Sequence, residues 1–350
     1  MAHIKIEDLK NFCAKALVQE GMDRGHAEIV ADVLSSTDAF GTYSHGTKNL
    51  HNYIRKFRVA GADIKGQPQV VREGSGFAVI DAHNSLGMIP AVEAMELACD
   101  KAAQAGIALV TVKNSCHFGA AGYYANLAAK RGMIGLAFSN VDPNMTIPGA
   151  RSMIIGNNPL AYAAPATDHP SLFFDIALSN VASLKVVQAR KDGLEIPDNW
   201  IVDKDGLPTT SPANYPEEGA MQPMAAHKGY GLAVLVDLLT GILSGGATSM
   251  SGDIVSWIFQ LEKPNNVSHT FIAIDPALFG VENTAEETAQ LAGKLRNAPK
   301  AKGADRIYTP GEIEWGKYEK AEAEGIDLPA DVEESLRGLA EELKLELPLF

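Results

Sequence analysis

Two histidines stand in short polar turns of a largely apolar sequence, and either could move a proton. His117 lies in Lys113-Asn114-Ser115-Cys116-His117-Phe118-Gly119, directly after the apolar run Ile107–Val112 and before a helix-like stretch that reaches Lys130. Strand ends are where α/β proteins seat ligands, and imidazole titrates near pH 6.5, so this position suits general acid/base work. His45 sits between Ser44 and Gly46 at the start of an amphipathic stretch. A helix N-terminus there disfavours imidazolium and suits an anion. Each has a plainer reading as well, His45 as part of a capping turn and His117 as a polar turn residue. Cys116 reads as a small core-lining residue, because a nucleophile needs a base aimed at its sulfur and adjacent side chains rarely supply one.

Other polar groups fall where a charge would be costly or a ligand useful. Asp175 interrupts the apolar run Phe173-Phe174-Asp175-Ile176-Ala177, and a carboxylate inside a strand needs a partner if it is buried. Asn140-Val141-Asp142-Pro143 follows another expected strand; Asp142 is placed either to orient a histidine or to form an Asx-turn. Gly156-Asn157-Asn158-Pro159 could hold a ligand or satisfy itself as a turn. His227-Lys228-Gly229-Tyr230-Gly231 opens the most apolar helix of the chain, as an anion seat or as close packing. No GxGxxG follows the strands expected at 77 and 107, and GxxxxGK[ST] is absent, so a bound nucleotide requires another scaffold. HExxH, an EF-hand loop and GxSxG are also missing. His45, His51, His117, His169, His227 and His269 are scattered without ligand spacing on one element, so no metal is expected.

The elements that must hold these residues read as helices at both ends and α/β between. Apolar spacing of three and four predicts helices over 6–20, 24–39 and from Ser44 to Val59. Strands are expected at 76–80, 107–112, 134–138, 153–155, 159–163, 172–177 and 271–274. Helices are expected over 85–104, 120–130, 229–243, 285–296 and 328–344. The helix over 229–243 is apolar nearly all round, which predicts burial, and 191–220 reads as an irregular excursion. The chain divides into mainly helical segments, 1–75 and 225–350, around an α/β segment, 76–224.

At 350 residues, 46% hydrophobic and 21% charged, the chain can bury a large core. Its net charge of −13 argues against nucleic acid and anionic membrane as partners, since non-specific binding to both depends on positive charge. Much of that charge is local, because 311–350 holds 12 acidic and 4 basic residues. Cys13, Cys99 and Cys116 match no disulfide framework, and no signal core or 18-residue apolar run occurs, so a cytoplasmic protein is expected.

Ser44-His45-Gly46, Cys116-His117-Phe118-Gly119, Gly156-Asn157-Asn158-Pro159-Leu160, Asp175-Ile176-Ala177 and His227-Lys228-Gly229-Tyr230-Gly231-Leu232 occur in an order and at distances that resemble the type-2 malate/L-lactate dehydrogenase family. Ile196-Pro197-Asp198 and Tyr308-Thr309-Pro310-Gly311-Glu312 are similar too, so the likeness runs from about residue 5 to 330. The resemblance implies a non-Rossmann α/β fold: a mixed-sheet cofactor domain, plus a helical substrate and dimerisation region built from both chain ends. It implies an NAD- or NADP-dependent homodimer that reversibly oxidises a 2-hydroxy acid to the 2-oxo acid. His117 corresponds to the acid/base histidine of the ureidoglycolate branch and His45 to that of the diketogulonate branch. Ser44, Asn49 and Tyr53 fall on substrate contacts. Val141, Asp175, Ile176, Ala177, Lys228, Gly311, Glu312 and Ile313 fall on cofactor contacts. Asn49 departs from the arginine common at its position and cannot offer a charged fork to a carboxylate. Lys48 or Arg55 could compensate, or the substrate could differ. An imine reductase and a catalytically silent scaffold are the alternatives.

Overall fold

The computed structural model describes residues 2–349. The two ends of the chain are tied together: β1 (Ala2–Ile4) pairs antiparallel with β12 (Ile326–Leu328). Beside that ribbon pack α1 (Ile6–Gln19), α2 (Arg24–Ala39), α9 (Glu312–Glu324) and α10 (Ala330–Leu343). Their inward residues follow helical spacing, such as Leu9, Phe12, Cys13, Ala16 and Leu17 in α1. Asp23 caps α2 by accepting from the Gly25 N–H at 2.8 Å. The short α3 (Leu50–Arg58) completes this helical region.

The apolar runs in the middle of the chain cannot be buried singly, and they assemble into one mixed sheet of seven strands. These are β2 (Gln69–Gly74), β3 (Phe77–Asp81), β4 (Ile107–Ser115), β5 (Ile134–Ser139), β6 (Leu160–Pro165), β7 (Ser171–Ile176) and β11 (Val267–Ile274). Their spatial order is β2-β3-β4-β11-β5-β6-β7. The central strand is therefore β11, from late in the sequence. Six of its eight residues are buried, including Phe271, and each large apolar side chain buried there stabilises by about 1.5–3 kcal/mol. α4 (Met88–Ala105) and α5 (Ala121–Lys130) cover one face. The other face carries α7 (His227–Asp237) and a wider π-type turn at 238–242. α6 (Ser183–Asp192), α8 (Thr284–Arg296) and a small sheet of β8 (Ile201–Val202), β9 (Pro208–Thr209) and β10 (Ala220–Met221) lie outside this frame.

Strand direction places the chemistry. β11 runs antiparallel to both β4 and β5, so those two run alike; β7, two antiparallel steps from β5, runs alike as well. The carboxyl ends of β4, β5 and β7 thus share one edge with the entry to β11. His117, Val141 and Ile176-Ala177 all fall on that edge.

Several expectations need correction. The run at 153–155 is not a strand; only Ile155 bridges to Met145, because the Ile154 and Ile155 N–H groups converge on the one Met145 carbonyl instead of continuing a ladder. The excursion 191–220 contains the small three-stranded sheet, and α6 precedes it. β2 went unanticipated because its exposed residues show no alternation. The helix after Gly229 is buried on one face only: Ala233 and Val236 face the core, while Leu235 is 44% and Ile242 61% exposed. Among the described residues no helix is long and apolar enough to cross a membrane.

Candidate active site

The Ser44-His45-Gly46 turn is fixed from below. Asp38, buried at the end of α2, accepts from the Thr47 N–H at 3.1 Å and from the Thr47 hydroxyl. Burial pushes its carboxyl up to about 7. Gly46 lies directly on that carboxyl, and any Cβ there would collide with Asp38 Oδ1, which explains the glycine. Asn49 donates from Nδ2 to the Ser44 carbonyl at 2.8 Å and is itself buried. Its amide braces the turn instead of reaching out. Ser44 Oγ meets His45 Nδ1 at 2.8 Å.

His117 arrives from the end of β4. Gly87, at the start of α4, packs so closely on the Cys116 carbonyl that a Cβ would overlap it, and the turn is thereby set against α4. The His117 and His45 rings are 5.6 Å apart between centroids. Tyr53 Oη lies 2.6 Å from His117 Nδ1, which leaves Nε2 as the open nitrogen. Burial lowers the His117 pKa well below 6.5, and the neighbouring His45 and His269 lower it further; burial also lowers that of His45. Burial likewise keeps the Tyr53 phenol protonated far into the alkaline range. The site therefore presents neutral imidazoles at pH 7. Cys116 is buried and burial pushes its thiol up to about 11, so it has no thiolate to offer.

Three residues of this centre carried no signal in the sequence. Trp257 stacks on His117 at 4.3 Å and 13°, and on Tyr53 at 5.0 Å and 21°. Lys56, fully enclosed, reaches from α3 to the carbonyls of Leu261 and Lys263. His269 in β11 lies under the site with both ring nitrogens engaged, Nδ1 by Ser139 Oγ and Nε2 by Ser115 Oγ, each at 2.9 Å. Burial lowers its pKa to about 3, which marks it as a neutral scaffold group. Both cations suggested as substitutes for arginine are directed elsewhere in this structure. Lys48 is paired with Asp331 at 2.5 Å, and Arg55 is two residues, about 200°, around α3 from Tyr53.

Beyond the histidines the same edge forms a polar shelf. Val141 donates its N–H to Asn158 Oδ1 at 3.1 Å, and its carbonyl accepts from Ser249 Oγ at 3.1 Å. Asn158 also donates to the Ala233 carbonyl of α7, so the Asn157-Asn158 turn is largely self-satisfied. Asn140 binds Asp237, the Ala247 carbonyl and the Ser268 N–H from one buried amide. Asp237 could have been flagged by the signal that exposed Asp175, a lone acid within an apolar run. Asp142 contacts no histidine; its carboxyl stays by its own backbone N–H.

Asp175 accepts from the Gly122 N–H at 2.6 Å, capping α5 from β7, and burial pushes its carboxyl up to about 6. The residue as a whole nevertheless keeps an exposed edge. Gly311 packs on Phe173 of the same strand. Glu312 is turned inward onto Thr309 and Arg306, so its carboxylate is spent within the protein, whereas Ile313 is exposed. The first turn of α7 has no side-chain cap and presents Lys228 to solvent. Before it, Ala225 and Ala226 both hold positive φ, 47° and 53°, a strain of about 1–3 kcal/mol each that is typical of ligand sites. An uncapped helix start with a lysine suits a phosphate, and the open edge of Asp175 suits a ribose hydroxyl, so the donor set fits a dinucleotide. Among the described residues no three His, Cys, Asp or Glu side chains gather to hold a metal ion.

Fold and site together define an α/β protein with a pair of histidines at a sheet edge and a polar shelf beside them, and its sequence lacks the usual glycine fingerprint of a nucleotide fold. The family model for malate/L-lactate dehydrogenase matches residues 4–337. The malate dehydrogenase of Pyrococcus horikoshii is 35% identical over 346 residues, 97% of this chain and 94% of that protein. The ureidoglycolate dehydrogenase (NAD(+)) of Escherichia coli is 34% identical over 330 residues, 94% of this chain and 93% of that protein. The solved sulfolactate dehydrogenase of Methanocaldococcus jannaschii superposes with a TM-score of 0.89 at 32% identity, covering 99% of this chain and 98% of that one. This chain belongs to the malate/L-lactate dehydrogenase family.

Proposed function

We propose that the protein is an NAD- or NADP-dependent dehydrogenase that reversibly oxidises a small 2-hydroxy acid, with His117 as acid/base. The observation that carries this reading is the Tyr53–His117 pair, 2.6 Å apart, beside His45 and on the same sheet edge as the shelf. When bound, the nicotinamide cofactor supplies the acceptor or donor of hydride. Val141, Asp175, Ile176, Ala177, Lys228 and the turn Gly311-Glu312-Ile313 hold it, the last through its backbone since Glu312 is already paired. His117 acts as base in the tautomer whose Nδ1 donates to Tyr53 Oη and leaves Nε2 bare for the hydroxyl proton. Tyr53 then has its own proton to offer a substrate oxygen. Ser44 and His45 bind the acid group, and the enclosed setting strengthens each of these contacts.

The test is absorbance at 340 nm across L-malate, L-lactate, ureidoglycolate and sulfolactate with NAD and then NADP, with the oxo acids and a cyclic imine run in reverse. Turnover of one 2-hydroxy acid is expected. Reduction of the imine alone would move the assignment to an imine reductase, the alternative that the Asn49 departure opens. Silence throughout would leave a scaffold.

The protein acts as a homodimer on this reading. Leu235, Leu238, Ile242 and Leu243 turn a continuous apolar stripe outward from α7 and the π-type turn. Such a stripe is costly in water unless a second surface covers it. Light scattering should give two chains per particle, and Ile242→Glu should give one. A wild-type monomer at micromolar concentration would end the dimer proposal.

A further inference from the structure

The loop between the π-type turn and β11 is pinned to α3. Lys56 Nζ donates to the carbonyls of Leu261 at 3.3 Å and Lys263 at 2.5 Å. Gly61, just past α3, lies against the Leu261 carbonyl so closely that a Cβ would overlap it. The loop is also braced internally, Asn265 Nδ2 donating to the Val255 carbonyl at 2.5 Å and Asn266 Nδ2 to that of Asp253 at 3.1 Å. A buried ammonium is costly, and here burial lowers its pKa; the two carbonyls it holds and the nearby Glu262 carboxylate offset that cost. What the pin achieves is the position of Trp257. The indole lies nearly parallel to the His117 ring and to Tyr53, roofing the pair on one side. A substrate oxygen must approach Nε2 in the plane of the imidazole, beside the face that the indole covers.

We propose that Trp257 is a specificity-determining wall that limits the substrate side chain beside His117, and that Lys56 and Gly61 are positioning residues that hold the wall in place. The proposal rests on the dehydrogenase reading and adds a substrate class to it: 2-hydroxy acids with a short side chain. The groups that face His117 are His45, Tyr53, Cys116 and His269 besides the indole; Lys56 faces Cys116, Glu262 and the loop carbonyls. Removal of the Lys56 charge therefore acts on His117 through the roof.

Wild type, Trp257→Ala, Lys56→Met, Gly61→Ala and His117→Gln decide the matter, each checked for its fold by circular dichroism. The first readout needs no turnover. A stacked imidazolium quenches indole emission, so wild-type emission should fall in a step below pH 6.5. The step should vanish in His117→Gln and in Trp257→Ala, and in Lys56→Met and Gly61→Ala it should shrink at least twofold or move upward in pH. The second readout is kcat/KM for 2-hydroxyhexanoate relative to L-lactate, which should rise at least tenfold in Trp257→Ala and move the same way in Lys56→Met and Gly61→Ala. An unchanged emission step in both pin variants overturns the positioning role, and an unchanged ratio in Trp257→Ala overturns the wall. A wild type with the emission step but no turnover of any 2-hydroxy acid refutes the dehydrogenase reading, and the wall's role in substrate choice falls with it.

Discussion

Replacing His117 by Asn is expected to lower kcat/KM for 2-hydroxy acid oxidation by about 10²–10⁴, the usual range for a lost acid/base. That is about 3–5 kcal/mol of transition-state stabilisation. Asn keeps a polar group near Tyr53 but cannot take up the hydroxyl proton. Cofactor affinity, followed by NADH fluorescence, should change little, because the shelf is built from other residues. The pH profile follows from the direction of the shift. His117 has a folded pKa lowered well below 6.5, first by burial and then by His45 and His269. Its base form is therefore complete at neutral pH, and oxidation should be flat through pH 7 and fall only below 6.5. Reduction needs the imidazolium and should quicken as pH falls through the same window. The matching His45→Asn variant separates the two family precedents. A larger loss there than in His117→Asn would transfer the acid/base role to His45.

Asn140→Leu should destabilise the fold by about 3–5 kcal/mol, measured by urea unfolding at pH 7. The buried amide serves three partners at once: the Asp237 carboxylate, the Ala247 carbonyl and the Ser268 N–H. Leucine has similar bulk but leaves these groups unsatisfied, at about 1–3 kcal/mol each. Asp237 would keep its bonds to Ser249, which is why the loss is smaller than the full sum. The same network supports Val141 through Ser249, so weaker cofactor binding is expected in whatever fraction folds. A loss below about 1 kcal/mol would mean that water or a rearranged loop satisfies the partners, and the shelf would then be less rigid than its hydrogen bonds imply.

Much of the site was legible in one dimension because its residues break local rules. A histidine after a buried strand, a glycine two residues beyond it, an acid within an apolar run and a lysine opening an apolar helix all contradict their surroundings, and local contradictions concentrate at functional places. Gly46 and Gly87 now have reasons of their own, each admitting a close approach that a Cβ would block. Trp257 and Lys56 broke no rule. Lys56 sits within Arg55-Lys56-Phe57-Arg58, which reads as a solvated helix surface, yet it is fully enclosed. Only the return of the loop at 261–263 buries it. Trp257 lies in an irregular segment, where periodicity says nothing about which way a ring will face.

Secondary structure followed the same division. Helical spacing and alternating strands are properties of neighbouring residues, and α1, α2, α4, β4 and β5 formed where their patterns indicated. The stripe along α7 shows the limit: residues apolar on every side fit a buried helix, and equally one buried on one face with the other exposed in the single chain. The place of β11 at the centre of the sheet, between β4 and β5, was likewise invisible in its own residues.

By itself, then, the sequence determined the kinds of element and the absence of the common phosphate loops, and it singled out the two histidines of the candidate site, because these depend on short-range spacing and side-chain chemistry. The tertiary structure decided the rest. It put the carboxyl ends of β4, β5 and β7 on one edge, paired Tyr53 with His117, turned Asn49 toward Ser44 and laid Trp257 over the imidazole. Apart from the Asn49 bond, which spans five residues, each of those outcomes is a long-range contact, chosen by the burial and hydrogen-bond satisfaction of segments up to 140 residues apart, and no local pattern encodes the partner.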